Sequence, residues 1–370
     1  MQKPIYFDYA STTPVHPLVL AEMLPYFTEN FGNAGSNQHY YGWVAEEAIT
    51  KSRALIAQYF SLPSSSIIFT SGATESNNLA IQGFLVGKQP GHIITSVLEH
   101  KAVLAVCEHM MTLGWEVSFL KPNANGMIEV RDVEAAIRPD TLLISLMLVN
   151  NEIGTITDFE AIRQLADRYQ LTFHGDATQA VGKIDLRDKA LPHLMSISGH
   201  KMYGPKGIGA LLVQPGLTIN SLVFGGAQER NIRSGTLAVQ QIVGLAQSFK
   251  LIPDLLEHAQ LLVQFKSKIV QSIPTHWKIN VQQASTVPHI VSISLPSTDW
   301  ESMFQKLPNV AISNGSACNA KTHLPSHVLK AIGLSDAEAL ATLRIAMGFG
   351  TTAEDVDFLI SYLNEKLIVA

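Results

Sequence analysis

Leu142-Leu143-Ile144-Ser145-Leu146-Met147-Leu148-Val149 is followed by Asp158-Phe159-Glu160-Ala161-Ile162-Arg163-Gln164-Leu165-Ala166-Asp167-Arg168-Tyr169, and that by Leu171-Thr172-Phe173-His174-Gly175-Asp176. An apolar run, an amphipathic window and a second apolar run make one strand–helix–strand unit. The window places Ile162, Leu165, Ala166 and Tyr169 on one helical face, which predicts a helix covering a sheet. The flanking runs do not alternate polar with apolar, as expected of strands buried on both faces of a parallel sheet. The same texture extends from about residue 43 to 250. Further strands are predicted at Ile67-Thr70, His92-Val97, Val117-Leu120, Met195-Ser198 and Ile208-Val213. After Gly244 it gives way to a long helical stretch through about Ile273, a strand at Ile290-Leu295, a polar loop around Cys318 and more helices. The fold class is α/β: a large domain with a mostly parallel sheet covered by helices, plus a smaller α+β domain packed closely against it.

The chain has 370 residues, 46% of them hydrophobic and 15% charged, enough apolar material for two cores. A net charge of −5, from 26 basic against 31 acidic side chains, offers no basic excess for a phosphate backbone, so no direct nucleic-acid partner is expected. No apolar run approaches the ~20 residues that span a bilayer. The N-terminus lacks the basic-then-apolar pattern of a secretory signal, and two cysteines, Cys107 and Cys318, make no disulfide framework. A cytoplasmic protein without membrane contact is the expectation.

Three segments carry chemistry. Thr70-Ser71-Gly72-Ala73-Thr74-Glu75-Ser76-Asn77-Asn78 ends a strand and opens a helix, so it reads either as a phosphate cup of unpaired amides or as an ordinary helix cap. Asp176 ends a strand, where α/β sheets place ligand groups. In Ser198-Gly199-His200-Lys201-Met202-Tyr203-Gly204-Pro205, Lys201 follows another strand and is read either as a solvated loop lysine or as a group able to form a Schiff base. Together, a phosphate cup, a strand-end carboxylate and a lysine are the three anchors that pyridoxal 5'-phosphate needs. Cys318 lies in the polar Ser313-Asn314-Gly315-Ser316-Ala317-Cys318-Asn319, the setting of an accessible thiol, whereas Cys107 follows an apolar helical period and is expected to pack. His323 and His327 stand without a second cluster, so no metal is expected.

The chain also resembles a known family over nearly its full length. Tyr6-Phe7-Asp8-Tyr9-Ala10-Ser11-Thr12-Thr13-Pro14, Thr70-Ser71-Gly72-Ala73-Thr74-Glu75-Ser76, Glu99-His100-Lys101, Val149-Asn150-Asn151-Glu152-Ile153-Gly154, Asp176-Ala177-Thr178-Gln179, Ser198-Gly199-His200-Lys201, Arg233-Ser234-Gly235-Thr236 and Gly315-Ser316-Ala317-Cys318 are similar to the motifs of NifS/IscS-type cysteine desulfurases. These are fold-type I pyridoxal-phosphate enzymes related to class V aminotransferases. The resemblance implies a large cofactor-binding domain over residues 15–250 and a small domain from 1–14 and 251–370. It implies that Lys201 binds the cofactor aldehyde, Asp176 keeps the pyridine nitrogen protonated, and His100 stacks on the ring and moves protons. Ala73, Thr74, Ser198 and His200 would hold the phosphate, with Thr236 reaching the phosphate of a neighbouring subunit in a homodimer. Asn150 and Gln179 would contact the ring oxygen, Asn150 also the substrate, and Arg344 would grip the carboxylate of L-cysteine. Cys318 would take the sulfur as a persulfide, release alanine and pass sulfur to an acceptor protein, as in iron–sulfur cluster assembly. A selenocysteine lyase or an aminotransferase on the same fold is the alternative.

Two departures stand out: Gly348-Phe349-Gly350 replaces the usual Gly-Arg, and Asn314 and Asn319 flank the cysteine motif. The expected helix through Val356-Lys366 runs almost to Ala370, leaving no tail of the kind that docks an iron–sulfur scaffold in housekeeping members.

Overall fold

The computed structural model describes residues 3–296, 300–315 and 324–367. Its centre is a sheet of seven strands in the spatial order Ile67–Thr70, Gly209–Val213, Leu194–Ser198, Thr172–Asp176, Thr141–Met147, His92–Ser96 and Glu116–Leu120. Every neighbouring pair is parallel except those of Gly209–Val213, which runs antiparallel to both its neighbours. Each of the seven overlaps a strand read from the sequence. The five inner strands are buried almost throughout, which is why their sequences show no period of two.

Register decides where the chemistry gathers. Met147 pairs with Asp176, Asp176 with Ser196, Ser198 with Gly209 and Gly209 with Thr70. The carboxyl ends of four strands therefore meet the amino end of Gly209–Val213 along one edge. Gly209 admits this convergence: a Cβ there would lie 2.4 Å from the Ile197 carbonyl oxygen and 2.7 Å from the Gly72 Cα.

The helix Phe159–Arg168 is capped by the Asp158 carboxylate and buries Phe159, Ile162, Leu165 and Ala166 against the sheet. Tyr169, expected on that face, is instead the residue after the last turn and is 44% exposed, its hydroxyl donating to Glu134. The long helical stretch divides into Val239–Lys250 and Ile252–Ser272, because Pro253 supplies no amide to carry one ladder through Leu251.

A second, antiparallel sheet has Ile290–Ser294 at its centre, between Lys278–Ile279 and Thr342–Ala346. It closes a separate core with Phe7, Phe265, Ile269, Leu359 and Leu363. The N-terminal strand Ile5–Tyr6 pairs in parallel with Val310–Ala311, and Asp8 bridges to Ala346. This carries Ala10 and Ser11 into the cleft between the two sheets. Among the described residues, no helix is long and apolar enough to cross a membrane.

Candidate active site

A cavity of about 550 Å³ opens at the convergent strand edge, with Lys201, Asp176, His100, Gln179 and Arg344 in its wall. At one end Ser71, Gly72, Ala73, Thr74, Ser198 and His200 form a polar cup. Gly72, at φ +151°, turns the chain from strand into the helix that begins at Ala73, so the first helical amides lie at the cup. Glu75 completes the turn by accepting from the Ser71 amide at 2.8 Å, and it is held by Arg233 at 2.8 Å. That pairing, against the opposing effect of burial, lowers the Glu75 carboxyl and keeps its charge on Arg233.

Lys201 donates to the carbonyl oxygens of Ala10 and Ser11 at 2.7 and 2.6 Å. Asp176 is fixed by the Asn77 amide group at 2.8 Å and the Thr178 backbone amide at 2.9 Å. His100 caps the helix Lys101–Thr112, its Nδ1 accepting from the Ala102 amide at 3.1 Å. Burial, over the opposing pull of Asp176, lowers its affinity for a proton. A neutral His100 whose Nδ1 accepts must carry its proton on Nε2. His200 is driven down to about 4 by burial and by the neighbouring lysines, and its Nδ1 lies 3.1 Å from the Thr12 hydroxyl.

Arg344 reaches the opposite end from the small sheet. It is 2% exposed, donating to the Asn151 carbonyl at 2.9 Å, to Asp8 at 2.7 Å and to the Ser11 hydroxyl at 2.6 Å. None of these supports involves Phe349 or Gly350, so the departure there leaves the guanidinium's mooring untouched. The Phe349 amide donates instead to the Tyr203 hydroxyl at 2.6 Å.

One cavity thus joins a lysine, a strand-end carboxylate and a helix-start cup, and the family model described as Aminotransferase class-V matches residues 5–359. The chain belongs to the class-V aminotransferase family. Within it, the chain is 42% identical to the cysteine desulfurase IscS of Methylococcus capsulatus over 99% of its own length and 93% of that protein. It is 43% identical to the IscS of Photorhabdus laumondii over the same shares. Among solved structures, a NifS-like protein superimposes with a TM-score of 0.92 at 31% identity, over 99% of this chain and 100% of that one. A structure of SspA in complex with cysteine gives 0.84 at 40% identity over 93% and 99% of the two chains. This class-V enzyme is therefore a pyridoxal-phosphate-dependent cysteine desulfurase.

The cavity wall fits that cofactor. Gln179 Oε1 and Thr178 Oγ1 are buried without a hydrogen-bond partner among the described residues, and each needs a partner from within the cavity. Gln179 is aimed by its own amide nitrogen, which donates to the Ala10 carbonyl at 2.7 Å.

Asn150 differs from expectation. Its Nδ2 donates to the Leu98 carbonyl and lies 3.3 Å from the Met147 sulfur, while its Oδ1 accepts from the Glu152 and Ile153 amides at 2.8 and 3.0 Å. These contacts hold Asn150 behind the wall, and its neighbour Asn151 lines the cavity. Sequence reasoning also missed Ser11, which binds Arg344, and Lys206, at the cup end. Thr236 is exposed and lies outside this cavity. Its segment is moored nearby by Arg53, whose guanidinium grips Glu229 at 2.8 and 2.6 Å.

Cys318 lies outside the described residues. On one flank of its segment, the Arg344 amide donates to the Ser313 carbonyl at 2.7 Å. On the other, the Ser326 hydroxyl donates to Glu152 at 2.5 Å. Cys107 is buried in the helix Lys101–Thr112, and burial pushes its thiol up to about 12.

Proposed function

We propose that the chain removes sulfur from L-cysteine using Lys201 as the cofactor-holding residue and Cys318 as the sulfur acceptor. The reading is carried by one observation: Lys201 and Asp176 stand at the ends of neighbouring strands and face a single cavity whose far end is the Ala73 helix start. The cofactor supplies, when bound, an electron sink for the substrate's Cα. Asp176, already fixed by two donors, would hold a proton on the pyridine nitrogen. The Ala73 and Thr74 amides, Ser198 and His200 would hold the phosphate, with Lys206 adding charge. Gln179 and Asn151 would meet the ring oxygen, with Asn150 positioning Asn151 from behind. Arg344 would bind the substrate carboxylate.

Lys201, once the substrate's amino group has taken its place, would remove the Cα proton. His100, carrying its proton on Nε2, is suited to donating rather than accepting at that stage. The Cys318 thiolate would then attack the substrate sulfur. The Cβ–S bond breaks, its electron pair stays with Cβ, Cβ takes a proton, and Cα recovers the proton that Lys201 removed. The products are alanine and a persulfide on Cys318.

The chain would act as a homodimer, a reading supported by the exposure of Thr236, which would serve a partner's phosphate, and of Phe27, Phe31, Tyr40 and Trp43, all at least half exposed on one chain. The binding of cysteine by the related SspA supports the same substrate here. The persulfide would pass to an acceptor protein in the cytoplasm, in iron–sulfur cluster assembly or a specialised thiolation route. Mass spectrometry after incubation with cysteine tests the reading: one added sulfur on the peptide carrying Cys318 supports it, and an adduct elsewhere or nowhere overturns it.

A further inference from the structure

Lys201, which lines the main cavity, also lines a second chamber of about 40 Å³. Lys183, Lys201, His258, His289, Tyr9 and Tyr203 supply its titratable lining, and among the described residues no carboxylate lines it. Lys183 comes from the turn after Gln179, and its ammonium donates to the backbone carbonyl of Lys201 at 2.8 Å. No ion pair of Lys183 to an acidic side chain stands among the described contacts. His289 is 3% exposed, its buried Nε2 has no hydrogen-bond partner among the described residues, and burial followed by the charges of Lys183, Lys266 and Arg344 disfavours its protonation. His258 is occupied with the Gly348 carbonyl at 3.3 Å, and the Tyr203 hydroxyl accepts from the Phe349 amide.

A buried cation without an anion is costly, and a sequence optimised only for stability would replace it with an apolar side chain. Here it has a specific neighbour. Burial, with the charge of Lys201 adding to it, brings Lys183 down to about 7, the direction expected of two amines sharing an apolar chamber. The repulsion is mutual. A proton on Lys183 opposes one on Lys201, while its hydrogen bond fixes the backbone from which the Lys201 side chain springs.

We propose that Lys183 is a positioning residue for Lys201, anchoring its main chain and, whenever its own amine is protonated, favouring the unprotonated nitrogen that Lys201 needs to bond to a carbonyl and to take up a proton. This rests on Lys201 being the residue that holds the cofactor. The test therefore begins with borohydride reduction and peptide mapping of the wild-type holoenzyme, where a label on any residue other than Lys201 would defeat that reading rather than this one.

With Lys201 labelled, the visible absorption band of the cofactor is titrated in wild type, Lys183→Gln, Lys183→Met and Lys183→Arg. Both neutral variants should raise the midpoint by on the order of one pH unit, since a like charge has been removed. Lys183→Arg, charged throughout the titration, should place the midpoint at or below that of wild type. Lys183→Gln retains a donor for the Lys201 carbonyl, so it separates charge from anchoring. An unchanged midpoint in a folded neutral variant overturns the proposal. If neither neutral variant folds, lysine-selective 15N NMR of the wild type decides. Lys183 must titrate at higher pH in holoenzyme, where Lys201 is engaged, than in apoprotein, and equal midpoints overturn the proposal.

Discussion

Replacing Arg344 with alanine removes a side chain with two separable duties. Within the protein its guanidinium neutralises Asp8 at 2.7 Å and binds Ser11 and the Asn151 carbonyl while only 2% exposed. Leaving Asp8 without its cation in a largely buried pair costs about 3–5 kcal/mol of stability. Towards substrate, the loss is of a charge-assisted contact worth about 1.5–3 kcal/mol. At about 1.36 kcal/mol per decade, that is roughly a ten- to hundredfold rise in KM for cysteine. The two effects are read apart by measuring alanine release over a range of cysteine concentrations at a temperature where the variant is folded, with the cofactor's visible band as the folding control. Lysine is not expected to rescue binding fully, because one ammonium cannot hold Asp8, Ser11 and Asn151 and also present a planar fork. A folded Arg344→Ala enzyme with wild-type KM would refute the assignment and place the carboxylate elsewhere.

Cys318→Ala is expected to abolish persulfide formation while leaving the cofactor band and its change on adding cysteine intact, and Cys107→Ala to leave turnover near wild type. Alanine and sulfide production at full rate by Cys318→Ala without added thiol would remove the cysteine from the mechanism. Glu229→Ala strands Arg53, whose side chain is 14% exposed, and is expected to cost about 3–5 kcal/mol in urea denaturation; a loss near zero would mean that Glu229 does not moor the segment carrying Thr236. Acid should weaken the fold in a defined window. Burial holds His174 and His200 at about 4 when folded, below the ordinary 6.5. The unfolded chain therefore binds more protons, and stability falls as pH drops from about 6.5 to about 4 and then levels. His174→Gln should flatten that fall, and urea midpoints with an unchanged pH slope would contradict the account.

The strands were legible because helices cover both faces of the sheet, leaving Val, Ile and Leu in unbroken runs such as Leu142-Val149. Lys201, Asp176 and the Ala73 turn were legible for a related reason, since each follows directly from a strand whose end was marked. Asn150 and Asn151 were not separable this way. Neighbours in a turn point in different directions, and which one faces the cavity depends on which one bonds its own backbone. An asparagine that opens a turn commonly accepts from amides two and three residues on, as Asn150 does. The Asn-Asn-Glu-Ile-Gly order held that signal, whereas the sequence held none for Lys183, whose partner is a main-chain oxygen 18 residues away.

The burial of Cys107 gives the molecule an internal clock for its own unfolding. With its thiol fully enclosed and pushed up to about 12, it offers almost no thiolate to a reagent while the large sheet is intact. Thiol consumed quickly by the native enzyme accordingly belongs to Cys318, and the second equivalent appears only as fast as the core around the helix Lys101–Thr112 opens. An alkylation time course on unmodified protein then yields, from its slow phase, the opening rate of the scaffold beneath the cofactor.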